Sequence, residues 1–109
     1  MRGGKHPKSS FKTGYQALLD AIWTKFGGYL SIAEKLGVDP QTLRNWRLRG
    51  RVPLKECYQV ALALGIPIWG LNYKEVTHFH AKEAIPWETV VKMYNFSPGI
   101  EKRILKLPI

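Results

Sequence analysis

The first half of the chain places its hydrophobic residues at the spacing of a helix. In residues 13–26 they recur every three or four positions, which puts them on one face of an amphipathic helix. These residues are Tyr15, Leu18, Leu19, Ile22, Trp23 and Phe26. Gly27 and Gly28 follow, and glycine ends helices readily because it adopts the left-handed conformation without a penalty. We therefore predict a first helix over 13–26, whose aromatic residues belong to the core.

A short second helix is predicted over residues 29–36. Its start is indicated by Ser31 and Glu34, which have the Ser-x-x-Glu spacing of a capping box. The residues predicted to face inward are Leu30, Ala33 and Leu36. A turn over 37–39, which begins with a glycine, then leads to the next helix.

Two further short helices are predicted up to residue 64. Asp39 suits the N-cap of the third helix, and Pro40 suits its first position because a missing N–H costs nothing there. This helix runs to about Arg49, and Gly50 ends it. A fourth helix over 53–64 keeps its apolar residues on one face, namely Leu54, Cys57, Ala61 and Leu64. The pattern indicates a compact all-α unit of short helices joined by tight turns.

The pattern is less regular in residues 66–109. An apolar segment over 68–73 is expected to pack back on the helices. Pro86 begins another predicted helix, with an apolar stripe formed by Trp87, Val90, Val91 and Tyr94. This stripe fits two roles equally well, a cap on the chain's own core or a dimer interface. Beyond residue 99 the periodicity does not distinguish a strand from a short helix.

The charge of the chain points to a polyanionic partner. Its 109 residues carry a net charge of +9, with a pI of about 9.9, which suits a nucleic acid or an anionic membrane. No apolar run approaches the ~18 residues of a membrane span. Residues 1–12 carry cations and no acid. We interpret them as a flexible basic arm, which either is a disordered tail or lies along phosphates or in the minor groove.

The sequence shows no arrangement typical of an enzyme or a metal site. Cys57 is the single cysteine, which excludes an intrachain disulfide and fits a reducing cytoplasm. His78 and His80 form the only close histidine pair, and zinc would need two further ligands. No acid–base pair, activated nucleophile or glycine-rich phosphate loop is visible. We therefore expect no catalysis, no cofactor and no metal.

The third predicted helix combines an apolar face with a face suited to DNA bases. At about 100° per residue, Leu43 and Trp46 share the inward face. Gln41, Arg44 and Asn45 lie outward; glutamine and asparagine pair bidentately with adenine, and arginine pairs with guanine. The N–H groups at the helix start are expected to face a phosphate. The other residues predicted to hold phosphates are Thr42, Arg47, Arg49, Arg51 and Lys55.

At these residues the chain resembles the Cro/repressor-like helix-turn-helix family of phage and prophage transcriptional regulators. The resemblance covers about residues 14–66. It rests on Ala33-x-x-Leu36-Gly37-Val38, on Pro40-Gln41-Thr42-Leu43-x-x-Trp46, and on Gly50 followed by Val52-Pro53. It implies a lambda-repressor-like, all-α domain of four to five helices that binds an operator as a homodimer. In that family the equivalents of Gln41, Thr42, Arg44 and Asn45 commonly contact bases or phosphates.

These observations predict a flexible basic arm over 1–12, a helix-turn-helix DNA-binding domain over 13–66, and an extension over 67–109 for dimerisation or partner binding. The main hypothesis is a sequence-specific regulator of double-stranded DNA, by default a repressor, in the cytoplasm of a bacterial host. One alternative is a phage DNA-handling protein, such as a small packaging subunit or a replication or recombination accessory. The other is a protein-interaction module with the same fold.

Overall fold

The structure, a computed structural model, describes residues 13–109. The predicted basic arm over 1–12 lies outside the described residues. Residues 13–109 form seven α-helices, one short 3-10 helix and no strand, which confirms the all-α class. The α-helices are α1 (Gly14–Lys25), α2 (Gly28–Leu36), α3 (Pro40–Arg49), α4 (Leu54–Leu64), α5 (Tyr73–Phe79), α6 (Trp87–Met93) and α7 (Pro98–Lys106); the 3-10 helix is Ala81–Glu83. None of these helices is long and apolar enough to cross a bilayer.

The first two helices start in different ways. Helix α1 has a capping box, in which the Thr13 hydroxyl accepts from the Gln16 N–H and the Gln16 side chain accepts from the Thr13 N–H. Helix α2 instead begins directly after Gly27, whose φ of +108° is left-handed, and no side chain caps it. The predicted capping box of Ser31 and Glu34 is therefore wrong, because Ser31 already lies inside the helix.

The inward face of α2 also differs from the prediction. Ile32 and Ala33 are buried, and Leu36 is partly buried, whereas Leu30 is 74% exposed. Leu30 lies about 200° around the helix from Ile32, so the two side chains cannot share a face. The prediction that Leu30 faces inward is wrong, and the corrected face brings Tyr29 to the edge of the core.

The C-terminal segment packs into the same hydrophobic core as the first four helices. Helix α7 lies against α1, and the Gly14 N–H donates to the Pro108 carbonyl at 2.8 Å. All four side chains of the predicted stripe are buried within one chain, namely Trp87, Val90, Val91 and Tyr94. Of the two roles open to this stripe, the structure therefore shows the core, since buried side chains offer no surface to a second copy. Beyond residue 99, where the pattern did not distinguish a strand from a helix, the chain is helical as far as Lys106.

Tyr94 joins the end of α6 to the segment that follows α4. Its hydroxyl donates to the Pro67 carbonyl and accepts from the Gly70 N–H at 2.9 Å. Burial raises the pKa of this hydroxyl above its ordinary value, because the charged form is poorly solvated there. A Cβ on Gly70 would lie 2.5 Å from the Tyr94 ring, so only glycine fits at this contact.

Replacing Tyr94 with Phe should destabilise the protein, because the Gly70 N–H and the Pro67 carbonyl lose their partner. We expect the free energy of unfolding to fall by about 1–3 kcal/mol. Urea denaturation followed by tryptophan fluorescence measures the change. Tyr58→Phe is the matched control, since Tyr58 is 60% exposed and should tolerate the same loss. Equal stability of the two variants would contradict the role of the Tyr94 hydroxyl.

Candidate nucleic-acid interface

Helix α3 begins at an aspartate cap, as the sequence predicts. The Asp39 carboxylate accepts from the Gln41 N–H at 2.8 Å, and the Asp39 carbonyl accepts from the Thr42 N–H at 2.9 Å. Both of these first-turn donors are therefore bound within the chain. The expectation that they face a phosphate is wrong, because the capping carboxylate already occupies that end of the helix.

The far end of α3 is fixed against α1. Gly50 ends the helix at a left-handed φ of +77°, and a Cβ there would lie 3.2 Å from the Cβ of Tyr15. The Gln16 side-chain amide donates to the Leu48 carbonyl, which joins the start of α1 to the last turn of α3. Leu43 and Trp46 are buried on the inward face, as predicted. Together these contacts fix the rotation of α3 about its own axis.

The three residues predicted to read bases lie together on the exposed face of α3. The Gln41 amide donates to the Asn45 amide oxygen at 3.2 Å, and Arg44 donates to the Gln41 amide oxygen at 3.5 Å. All three side chains are exposed, and Leu48, one turn beyond Arg44, is also exposed. The face thus presents donors, acceptors and one apolar group to solvent, which are the groups that read base edges in the major groove.

Tyr29 orients two arginines of α3, a role that the sequence reading missed. The Arg44 guanidinium lies 5.2 Å from the centre of the Tyr29 ring, within cation–π range. The Tyr29 hydroxyl accepts from the Arg47 Nε at 2.6 Å. The correct phase of α2 would have revealed this residue, because Tyr29 lies three positions before the buried Ile32.

Arg47 lies at the junction of α1, α2 and α3 rather than on the open face. Its side chain is 23% exposed, and its Nε is 3.9 Å from an Asp20 carboxylate oxygen. Burial raises the pKa of Asp20 above its ordinary value, although the charges of Arg47 and Arg103 lower it in part. The contacts with Tyr29 and Asp20 favour a bracing role for Arg47, and its predicted phosphate contact stays a prediction.

The remaining residues predicted to hold phosphates lie near α3 and the loop that follows it. Arg49, Arg51 and Lys55 are exposed, and Thr42 is half-buried. Arg51 is paired only loosely with Glu75, at 4.0 Å between two half-exposed side chains. A pair of this kind contributes at most about 1 kcal/mol, so it yields easily to a phosphate.

The fold and this surface together define a helix-turn-helix DNA-binding domain, with an anchored third helix that turns a polar and cationic face outward. The family model of the bacteriophage CI repressor helix-turn-helix domain matches residues 24–79, just over half of the chain. The chain belongs to this family of DNA-binding regulators of phage type, which confirms the predicted resemblance. No curated protein and no solved structure matches the chain.

The matched region ends inside the part of the chain that the sequence reading set apart as an extension. It runs from the last two residues of α1 to the end of α5, whereas the predicted domain ends at residue 66. Within residues 13–109, no group of three histidine, cysteine or acidic side chains is placed to hold a metal ion. Cys57 is buried, as predicted, and burial raises the pKa of its thiol to about 12.

The Asp39 cap gives a direct test of how α3 starts. Asp39→Ala removes the acceptor for the Gln41 N–H, and we expect the free energy of unfolding to fall by about 0.5–2 kcal/mol. Asp39→Asn is the control, because the asparagine oxygen still accepts this bond and should hold stability near that of the parent protein. Thermal and urea denaturation measure both variants. A stable Asp39→Ala protein would show that α3 does not need this cap.

Proposed function

We propose that this protein is a sequence-specific regulator that inserts α3 into the major groove of double-stranded DNA and represses transcription. The observation that carries the proposal is the exposed face of α3, on which Gln41, Arg44 and Asn45 meet. Membership of the phage CI repressor domain family supports DNA as the partner. Repression, by occlusion of the polymerase inside a bacterial host cell, is the mechanism we propose.

The base-reading roles follow from the chemistry of the three side chains. We assign Gln41 and Asn45 to adenine and Arg44 to guanine, because these are the bidentate pairs that the major groove allows. In the free protein the three side chains bond to one another at 3.2–3.5 Å in an exposed network. Base edges can replace these bonds at little cost, since each broken bond is exchanged for another. The Tyr29 ring limits the motion of Arg44 before DNA binds.

The residues proposed to contact DNA phosphates are Thr42, Arg49, Arg51 and Lys55. Arg47 is proposed mainly to brace α3, with a phosphate contact only at the border of the interface. Every phosphate neutralised by one of the arginines or by Lys55 releases counterions and steepens the salt dependence of binding, whereas the uncharged Thr42 hydroxyl adds a hydrogen bond alone. The carboxylate of Asp39 opposes an anion at the start of α3. Cations near the end of the helix are therefore better placed to hold the backbone.

We also propose that two copies bind one pseudo-palindromic site. A single module of this kind covers roughly 600–1,000 Å² of protein surface on DNA, which limits its specificity. A second copy doubles the surface and adds a spacing requirement between half-sites. The stripe formed by Trp87, Val90, Val91 and Tyr94 cannot make this contact, because it is buried within one chain. Exposed residues of 67–109 keep their proposed role in dimerisation or partner binding.

Selection of bound sites from random DNA across a salt series tests sequence-specific regulation. We expect a single motif, with two related half-sites, that survives near ~0.15 M salt. Binding without a motif that disappears with salt would contradict the proposal, because it reflects the electrostatic attraction alone. That result would favour the phage DNA-handling alternative. Complete absence of DNA binding would favour the protein-interaction alternative.

Asn45→Ala should cost about 1–3 kcal/mol of binding free energy and relax the preference at one base position. The reason is that one bidentate pair with a base is lost while the backbone contacts remain. Fluorescence anisotropy on the selected site and on single-base variants measures both effects. Thr89→Ala is the control, because Thr89 is another exposed, uncharged polar residue on a helix. An equal loss of affinity for every DNA sequence would show that Asn45 does not read a base.

The proposed stoichiometry predicts two protein chains on one selected duplex. Native mass spectrometry of the complex gives the number directly, and a duplex with one half-site scrambled provides the control. We expect the scrambled duplex to bind one chain weakly. One chain on the intact site, or a larger ring, would contradict the dimer.

A further inference from the structure

A basic cleft opens where the end of α3 meets the starts of α1 and α5. Its volume is about 230 Å³, several times the ~30 Å³ that one water molecule occupies. Arg49 and Arg51 contribute from the end of α3 and the following loop, and Lys74 contributes from α5. Among the described residues that line this cleft, none is acidic. The function proposed above uses the two arginines but leaves Lys74 without a role.

Two tyrosines form an aromatic wall of the cleft. The rings of Tyr15 and Tyr73 are stacked, with 6.0 Å between their centres. The Lys74 ammonium lies 5.6 Å from the centre of the Tyr15 ring, within cation–π range. This contact restricts the long lysine side chain to the cleft, so less conformational entropy is lost when an anion binds.

The two sides of the cleft are joined by buried hydrogen bonds. The Val52 N–H donates to the Leu71 carbonyl at 2.7 Å, and the Asn72 side-chain amide donates to the Val52 carbonyl at 2.8 Å. Asn72 is only 1% exposed. The loop that carries Arg51 is therefore fixed to the segment that leads into Lys74, so the backbone positions of these two cations are set before any ligand arrives.

The charges in the cleft favour an anion. Three cations face one space. The nearby Glu75 carboxylate accepts from the Asn72 side-chain amide at 3.0 Å and pairs only loosely with Arg51, at 4.0 Å. Like charges held together repel one another, and an anion placed between them removes that repulsion. A phosphate group has the charge and the acceptor oxygens that arginine and lysine donors bind.

In the complex proposed above, the length of α3 brings this cleft to the DNA backbone. Its ten residues span about 15 Å, whereas the major groove is about 12 Å wide. With the start of the helix inside the groove and its axis inclined across the groove, its last turn therefore lies at the sugar–phosphate wall. Arg49 and Arg51 lie at that end, and Lys74 lies beside them.

We propose that this cleft binds one phosphate of the DNA backbone and that Lys74 is a DNA-contacting residue supplied by α5. The inference rests on the function proposed above, because it requires α3 in the major groove. It adds a phosphate contact from outside the four helices that the sequence predicted for the DNA-binding domain. A free phosphate ion offers the same chemistry, and the experiment separates the two sources.

The test compares Lys74→Gln with Lys82→Gln, its matched control. Lys82 is also an exposed lysine, and it lines a different cavity, beside Phe79 and His80. We expect Lys74→Gln to weaken binding to all DNA sequences alike and to reduce the slope of log affinity against log salt by about 0.9, the value for one phosphate. Lys82→Gln should keep the parent slope. Urea denaturation confirms that both variants are folded.

A methylphosphonate scan of the duplex locates the contact. At one position, the neutral methylphosphonate should weaken DNA binding by the parent protein. The same substitution should not weaken binding by Lys74→Gln any further. Equal salt slopes for Lys74→Gln and Lys82→Gln would overturn the inference. Equal slopes together with saturable binding of inorganic phosphate, followed by NMR, would overturn it in favour of a free phosphate ligand.

The outcome for Lys74 is distinguishable from the outcome for sequence-specific regulation. A reduced slope for Lys74→Gln with no selected motif supports the phosphate site and contradicts sequence-specific regulation. A selected motif with an unchanged slope for Lys74→Gln supports sequence-specific regulation and contradicts the phosphate site. Absence of any DNA binding by the parent protein overturns both.

Discussion

The rest of the structure depends on how α3 is anchored, because the burial of Leu43 and Trp46 decides which residues face outward. A rotation of about half a turn would bring the polar face into the core and expose the anchor, and even a rotation of one residue, about 100°, would move Leu43 and Trp46 out of their packing. The Asp39 cap fixes the start of the helix, and the close contact of Gly50 with Tyr15 fixes its end. Interior packing of this kind tolerates little change in volume, so the exposed face keeps one orientation.

Electrostatics then divides the surface of α3 into two ends with different roles. Asp39 places a negative charge at the start of the helix, whereas Arg49 is its last residue and Arg51 lies two residues beyond. Within this arrangement Tyr29 holds Arg44 outward through its ring and Arg47 inward through its hydroxyl. The segment after α4 contributes to this arrangement, because the hydrogen bond from Val52 to Leu71 joins it to the loop after α3.

The sequence predicted the features that depend on neighbouring residues and missed those that depend on distant ones. Asp39 and Gly50 marked helix ends correctly, since caps act within a few residues. The predicted phase of α2 was wrong because a glycine pair starts the helix without a side-chain cap. Ser31 and Glu34 have the spacing of a capping box, although they lie inside the helix. Tyr29 was missed for the same reason. The role of the stripe beginning at Trp87 stayed undecided in the sequence. Apolar spacing shows that a helix face is buried, but it does not show whether the face packs on the same chain or on a second copy.

Dimethyl sulfate protection of the selected DNA site shows directly whether α3 lies in the major groove. Guanine N7 lies in the major groove and adenine N3 lies in the minor groove, so the two reactions report different grooves. We expect protected guanine N7 atoms within each half-site, and renewed reactivity of one guanine in each half-site with Arg44→Ala. Guanine N7 atoms that stay fully reactive in the saturated complex would contradict the placement of α3 in the major groove.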